Sequence, residues 1–332
     1  MKKYLMLFKF LTLAVILVAV SSCNSDDNDG PVRPAENIAQ LAAATPDLSI
    51  LVEALQRTNL TDDLEASGPF TVLAPSNAAF TTFLGQNNFT SIQDVPVDAL
   101  TQILLNHVIA SEFSSSDLTV LQRNYAATLA EGPTAGSFLS LYFDATDGVE
   151  FNGVSSVVNG GADILASNGT VHIVDAVIDL PTVVTFVGED FNFEQLTTAL
   201  TTATPGTDFA TILSGDGPFT VFAPVDQAFD ELLDSNPDWS SLSDIDESLL
   251  TAVLQHHVAP GNNRSGGLSE GLNLTTLEGD DITISLQVNA PFIAAITDGA
   301  GNDDVNIGFV DIQARNGVIH LIDQVMLPNT EN

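Results

Sequence analysis

Five histidines, His107, His172, His256, His257 and His320, and 43 Asp and Glu residues are the groups in this 332-residue chain whose types could do chemistry. Imidazole beside carboxylate can pass protons or hold a metal ion. The spacings argue against both. His256 and His257 are adjacent in a helical stretch and point about 100° apart, whereas two ligands on one helix face need i,i+4 spacing. His172 and Asp175, like His320 and Asp323, are three residues apart. In a regular strand such a pair faces opposite sides and cannot bond directly. His107 and His257 end apolar helical stripes, the first made by Leu100, Ile103 and Leu104. A core histidine held by a backbone partner is expected there. His107, His172, Asp175, His257, His320 and Asp323 therefore read as structural motif positions and not as a catalytic set. The loop with Asp298, Asp303 and Asp304 offers oxygen ligands of the kind Ca²⁺ takes. The matching stretch of the first half is shorter and lacks the Asp-Asp pair, so a solvated turn is the simpler reading, and no cofactor is expected. P-loop and GxGxxG patterns do not occur, and the Gly-x-Ser-x-Gly match Gly267-Leu268-Ser269-Glu270-Gly271 is not followed by the helical pattern of a nucleophile elbow. Past the N-terminal segment there are one Trp (Trp239) and two Tyr (Tyr125, Tyr142), few aromatic faces for gripping sugars. An enzyme is not expected.

The elements that must position these residues follow from periodicity. Leu48, Leu51, Val52 and Leu55 recur at helical spacing after Thr45-Pro46-Asp47, a helix start. Phe70-Thr71-Val72-Leu73 is a short strand after Gly68-Pro69 and before Pro75. A helix is expected from Asn77, and a closing strand from Val171, Ile173 and Val174 with 176–178. The second half repeats the order at 196–200, 219–222, 249–257 and 318–327. Residues 179–190, with Pro181 and Gly188, read as a short, partly apolar junction that does not leave the halves freely jointed.

That repetition is the strongest signal in the chain. Gly68-Pro69-Phe70-Thr71-Val72-Leu73-Ala74-Pro75 returns as Gly217-Pro218-Phe219-Thr220-Val221-Phe222-Ala223-Pro224, at an offset of 149. Asn106-His107-Val108 returns as His256-His257-Val258, at 150, and Asn168-Gly169-Thr170-Val171-His172-Ile173-Val174-Asp175 as Asn316-Gly317-Val318-Ile319-His320-Leu321-Ile322-Asp323, at 148. Three blocks in one order at nearly one offset mark duplicated domains; the period is far too long for a solenoid.

Charge narrows the function. All three lysines (Lys2, Lys3, Lys9) lie in the first nine residues, and past Cys23 five arginines face 43 acids, a net −38. Such a body cannot neutralise phosphates, so nucleic acid is excluded as a partner, as is docking on anionic lipid through a polybasic segment. With 45% hydrophobic and 15% charged residues the chain can still build cores. The N-terminus reads as an export signal over 1–22: Met1-Lys2-Lys3, an apolar run over 10–20, then Ser21-Ser22-Cys23. The run is short for a span of about 20 residues. Val20-Ser21-Ser22-Cys23 resembles a bacterial lipobox, which implies lipidation of Cys23 and anchorage through acyl chains. Residues 23–36 read as an acidic flexible tether, and Asp26-Asp27-Asn28-Asp29 resembles a surface-export signal of some Gram-negative lipoproteins.

The repeated blocks resemble the fasciclin domain. Its first segment matches Phe70-Thr71-Val72-Leu73-Ala74-Pro75 with Ala79-Phe80 and Phe219-Thr220-Val221-Phe222-Ala223-Pro224 with Ala228-Phe229; its central histidine matches His107 and His257; its Asn-Gly-x-x-His-x-x-Asp segment matches both copies in full. The resemblance covers domains at 37–181 and 186–328 and implies an α+β class, two tandem fasciclin-type domains, each a β-sandwich or wedge with packed helices. It implies a non-catalytic role in adhesion or extracellular binding; joined to the lipobox-like segment, the expectation is a surface-anchored protein of the cell envelope, on the outer membrane, with an unidentified extracellular protein or glycan as partner. The alternative is a ligand- or glycan-binding accessory lipoprotein beside an uptake system.

Overall fold

The computed structural model describes residues 34–286 and 292–329; Cys23 and the export signal lie outside them. In the first copy, helices Ile38–Ala44, Ser49–Thr58, Asn77–Gln86 and Val97–Asn106 cover one side of a sheet. The Thr45-Pro46-Asp47 start opens a single 3₁₀ turn, Pro46–Leu48, before the α-helix begins. Asn59 then stops that helix in the left-handed conformation, φ 58°, which Asn tolerates better than most residues. Ser76 caps the helix that follows the Ala-Pro end of the first strand, its hydroxyl accepting from the Ala79 N–H.

The strands are β1 (Phe70–Pro75), β2 (Val108–Ile109), β3 (Arg123–Glu131), β4 (Phe138–Asp144), β5 (Glu150–Phe151), β6 (Ser155–Ser156), β7 (Ile164–Ala166) and β8 (Gly169–Val174), in the order β6-β5-β4-β3-β2-β1-β8-β7. The sheet curls until Val157, just past β6, bridges Val174 of β8. The second copy has β9 (Phe219–Pro224), β10 (Val258–Pro260), β11 (Leu272–Thr275), β12 (Asp281–Leu286), β13 (Ala294–Thr297), β14 (Val305–Ile307), β15 (Ile312–Ala314) and β16 (Gly317–Ile322). Their order is β10-β9-β16-β14-β13-β12-β11, with β15 on β16. Each copy is thus α+β: a curled sheet with helices packed on it.

The first and last repeated blocks are neighbours in space. β1 pairs parallel with β8, Phe70 opposite Gly169, and β9 with β16 in the same register, Phe219 opposite Gly317. A Cβ at Gly169 would stand 2.1 Å from the Phe70 carbonyl oxygen, and at Gly317 2.4 Å from that of Phe219, so only glycine fits. The asparagine before each glycine ties three segments together. Asn168 Nδ2 donates to the Leu64 and Ala66 carbonyls while its Oδ1 accepts from Ile38 N; Asn316 does the same with Leu213, Gly215 and Val183 N.

Period-two alternation then splits each core. Val72, Ala74 and Val171 face the helices, with Leu48, Leu51, Phe80 and Leu100, while Leu73 and Val174 face the inside of the curl with Leu141, Phe143 and Phe151. In the second copy Val221 and Ala223 join the helical core with Phe229, and Phe222 joins Ile284 and Ile296.

Two expectations need correction. The closing strand stops at Val174 and does not continue through 176–178. Its continuation is replaced by a bend in which the Asp175 N–H donates to the Ser156 carbonyl and the Asp175 carboxylate accepts from Ser156 N. The stretch 179–190 is not merely a junction: Val183–Glu189 is a helix whose Val183, Phe186 and Val187 sit in the second core, the counterpart of Ile38–Ala44.

The copies meet along β4 and β15. Gln313 N donates to Ser140 Oγ (2.9 Å), Asn262 Nδ2 to Thr134 Oγ1 (3.0 Å) and Arg315 N to the Pro181 carbonyl (2.8 Å). Tyr142, from the first copy, is buried within the second copy's core cluster. Tyr125 packs on Tyr142, Phe186 and Phe309, with ring centroids 5.2, 5.4 and 6.0 Å away, and its hydroxyl donates to Asp190 Oδ2 at 2.7 Å. Among the described residues no single helix is long and apolar enough to cross a membrane.

Candidate functional site

Four of the five histidines commit both ring nitrogens to the main chain. His107, in the turn that ends its helix, donates from Nδ1 to the Ile103 carbonyl (2.7 Å) and accepts at Nε2 from Ile178 N (2.9 Å). His257 repeats this with Val253 (2.7 Å) and Met326 N (2.9 Å). A ring that must accept on one side has to be neutral. Burial drives the same result: desolvation pushes both rings down to about 4, outweighing the carbonyl bonds that favour the charged form.

His172 and His320 lie in β8 and β16 with the opposite proton placement. His172 Nε2 donates to the Phe113 carbonyl (2.9 Å) and Nδ1 accepts from Asp163 N (3.2 Å); His320 pairs with the Asn263 carbonyl (2.9 Å) and Asp311 N (3.4 Å). Neither bonds its motif aspartate. Asp175 accepts from Ser156 N at 2.7 Å, and Asp323 takes Asn306 N at 2.7 Å and Asn306 Nδ2 at 2.9 Å. Burial raises the Asp323 carboxyl above its usual range, against those two bonds.

His256 differs. It is fully buried, accepts at Nε2 from Gly299 N (3.1 Å), and turns Nδ1 to side chains: Thr276 Oγ1 at 3.3 Å and Glu278 Oε2 at 3.5 Å. Glu278 and Asp280 stand on the turn joining β11 to β12, half-buried, and the candidate ligand atoms of His256, Glu278 and Asp280 all lie within 4.8 Å of one another. Spacing analysis on the helix alone missed this corner. Its signal was the Glu278-Gly279-Asp280-Asp281 turn, whose position over the helix end depends on strand pairing. Burial lowers His256, opposed by the charges of Glu278, Asp298 and Asp280.

The structure does not bring Asp298, Asp303 and Asp304 together as a calcium loop. Asp298 is buried and its carboxylate folds its own turn, accepting from Asn302 N (2.8 Å), Asn302 Nδ2 (2.9 Å) and Leu327 N (2.8 Å), while Asp303 and Asp304 are exposed. A cleft of about 440 Å³ opens beside the cis Gly68-Pro69 bond, lined by Glu65, Ser67, Glu112 and Asn168. It is open and polar, unlike the mostly apolar, enclosing pockets that hold small ligands.

The fasciclin domain model matches residues 46–181 and 192–328. Human periostin is 27% identical over 281 residues, covering 82% of this chain and 30% of periostin. Transforming growth factor-beta-induced protein ig-h3 of Sus scrofa is 25% identical over 306 residues, 90% of this chain and 40% of that protein. The chain therefore spans well under half the length of these two relatives. The Synechocystis protein sll1735 is 34% identical over 142 residues, 43% of this chain and 96% of that protein. The solved FAS1 domain pair from the insect cell adhesion molecule Fasciclin I superposes with a TM-score of 0.51 at 21% identity, covering 85% of this chain and 97% of that one, a likeness of fold.

Proposed function

The chain belongs to the fasciclin domain family, and from that premise we propose that its two tandem domains form a non-catalytic adhesion or extracellular binding module, held at a bacterial outer surface by lipid on Cys23. The observation that carries this reading is the domain pair itself, a fold it has in common with an insect cell adhesion molecule. The histidine geometry supports it, since the four motif imidazoles have no nitrogen left for proton transfer or ligation. The lipobox-like Val20-Ser21-Ser22-Cys23 and the acidic Asp26-Asp27-Asn28-Asp29 support the anchor and the outer-membrane surface location. A body of −38 repels phosphate-rich surfaces, so the partner is an extracellular protein or glycan met through apolar or cation-bridged contacts.

Deleting the gene and scoring attachment tests the role: reduced attachment is expected, and unchanged attachment on every surface tried contradicts it. For the anchor, mass spectrometry of the N-terminal peptide is expected to show acylated Cys23. A Cys23→Ala protein that still partitions with membranes overturns that part.

A further inference from the structure

The corner at His256 has the makings of a metal site, and it is absent from the first copy. Three observations converge there. First, His256 is the one histidine whose Nδ1 faces side chains and not main chain, 3.5 Å from Glu278 Oε2. Second, two carboxylates are placed beside it by backbone donors. Asp280 N donates to Glu278 Oε2 (3.1 Å) and Asn329 N to Asp280 Oδ2 (2.7 Å). Third, the candidate ligand atoms of His256, Glu278 and Asp280 all lie within 4.8 Å of one another, close enough to share one ion.

We propose that His256 Nδ1, Glu278 and Asp280 bind one divalent transition-metal ion of the Zn²⁺ class in the second domain. Imidazole with two carboxylates suits such ions, whereas Ca²⁺ and Mg²⁺ prefer all-oxygen cages. Three protein ligands leave a fourth position for water or for a donor group on a partner molecule. The present bond from Gly299 N to Nε2 places the ring proton on Nδ1. Metal at Nδ1 requires the neutral ring to carry its proton on Nε2 instead, so loading breaks the Gly299 bond and shifts the 298–302 turn. The ring exchanges one proton position for another and remains neutral.

The test is titration of the purified protein with Zn²⁺ alone, in excess Ca²⁺ to occupy surface carboxylates, followed by calorimetry and by amide and imidazole ¹⁵N spectra. One saturable site per chain is expected, with the Gly299 amide and the His256 nitrogens moving together. His256→Asn installs the residue the first copy carries at Asn106 and is expected to weaken binding by ~10-fold or more, as is Glu278→Gln at a half-exposed position that leaves the core intact. Unchanged affinity in Glu278→Gln, Ca²⁺ displacing Zn²⁺ from the site, or a Gly299 amide that stays in place on loading each overturns the proposal.

Discussion

Asn106 and His256 occupy the same place in two copies of one domain, the last helical residue before the strand that flanks the central parallel pair. Asn106 bridges its surroundings with one amide: Nδ2 donates to the Ile178 and Asp179 carbonyls, and Oδ1 accepts from Thr128 Oγ1 at 3.3 Å. His256 meets the corresponding threonine, Thr276, but reaches out to Gly299 and Glu278. One residue away, His107 and His257 keep the same partners to within 0.1 Å. The duplication has held the parallel pair and its histidines fixed while the adjoining turn diverged. The lesson is that repetition within the chain separates scaffold from specialisation: what recurs in both copies maintains the fold, and what differs is where to look for function.

The largest expected effect concerns whether the copies stand or fall together. Phe80→Ala and Phe229→Ala remove fully buried rings from equivalent cores and are each expected to cost about 3–5 kcal/mol. Because Tyr142 lies within the second core, Phe80→Ala is also expected to lower the denaturation midpoint reported by Trp239 fluorescence in the second domain. A Trp239 transition that stays in place shows instead that the copies unfold independently.

Next comes acid. His107 and His257 titrate at about 4 when folded and near 6.5 when unfolded, so the unfolded chain binds more protons between those values. Their contribution is fully present above pH 6.5 and is lost as pH falls through 4, on the order of 3 kcal/mol for each ring. Asp323, raised by burial, has the opposite sign: its contribution is present below the usual carboxylate range and is lost as pH rises through its folded value. Urea midpoints measured from pH 7 to 4 check the sum, and replacing His107 by Gln is expected to flatten the curve.

Tyr125→Phe removes the hydroxyl that bonds buried Asp190 across the seam, at an expected ~1.5–3 kcal/mol. Smallest is Arg123→Ala, which loses a partly exposed ion pair with Asp144 and a guanidinium 4.6 Å over the Phe191 ring. A change of about 1 kcal/mol or less is expected in thermal melts.

Much of this was legible in the sequence because it is local or repeated. The Phe70 and Phe219 strands, the apolar stripe ending at His107 and the Asn-Gly blocks each announce themselves within ten residues. Their neighbours were not legible, since a register fixes them. The pairing of Thr275 with Asp281 sets the turn that brings Glu278 and Asp280 over the helix end, and nothing near residue 256 in the chain points to it. Asp298 read as part of a solvated turn, with calcium ligation as the other option, because composition shows a carboxylate but not the N–H groups that fill and bury it. Val183–Glu189 read as a junction because its partner, Asn316, is 133 residues away.

The central claim is that the motif histidines are scaffold and that, of the five histidines, His256 is the one whose corner has diverged toward binding. A long-range ¹H–¹⁵N imidazole spectrum, recorded at neutral pH with and without Zn²⁺, tests it most directly. Four rings are expected in fixed neutral forms, His107 and His257 protonated on Nδ1, His172 and His320 on Nε2, all unmoved by Zn²⁺, while His256 alone shifts its proton to Nε2. A motif ring that binds the ion or exchanges tautomers, or a His256 indifferent to Zn²⁺, contradicts the account.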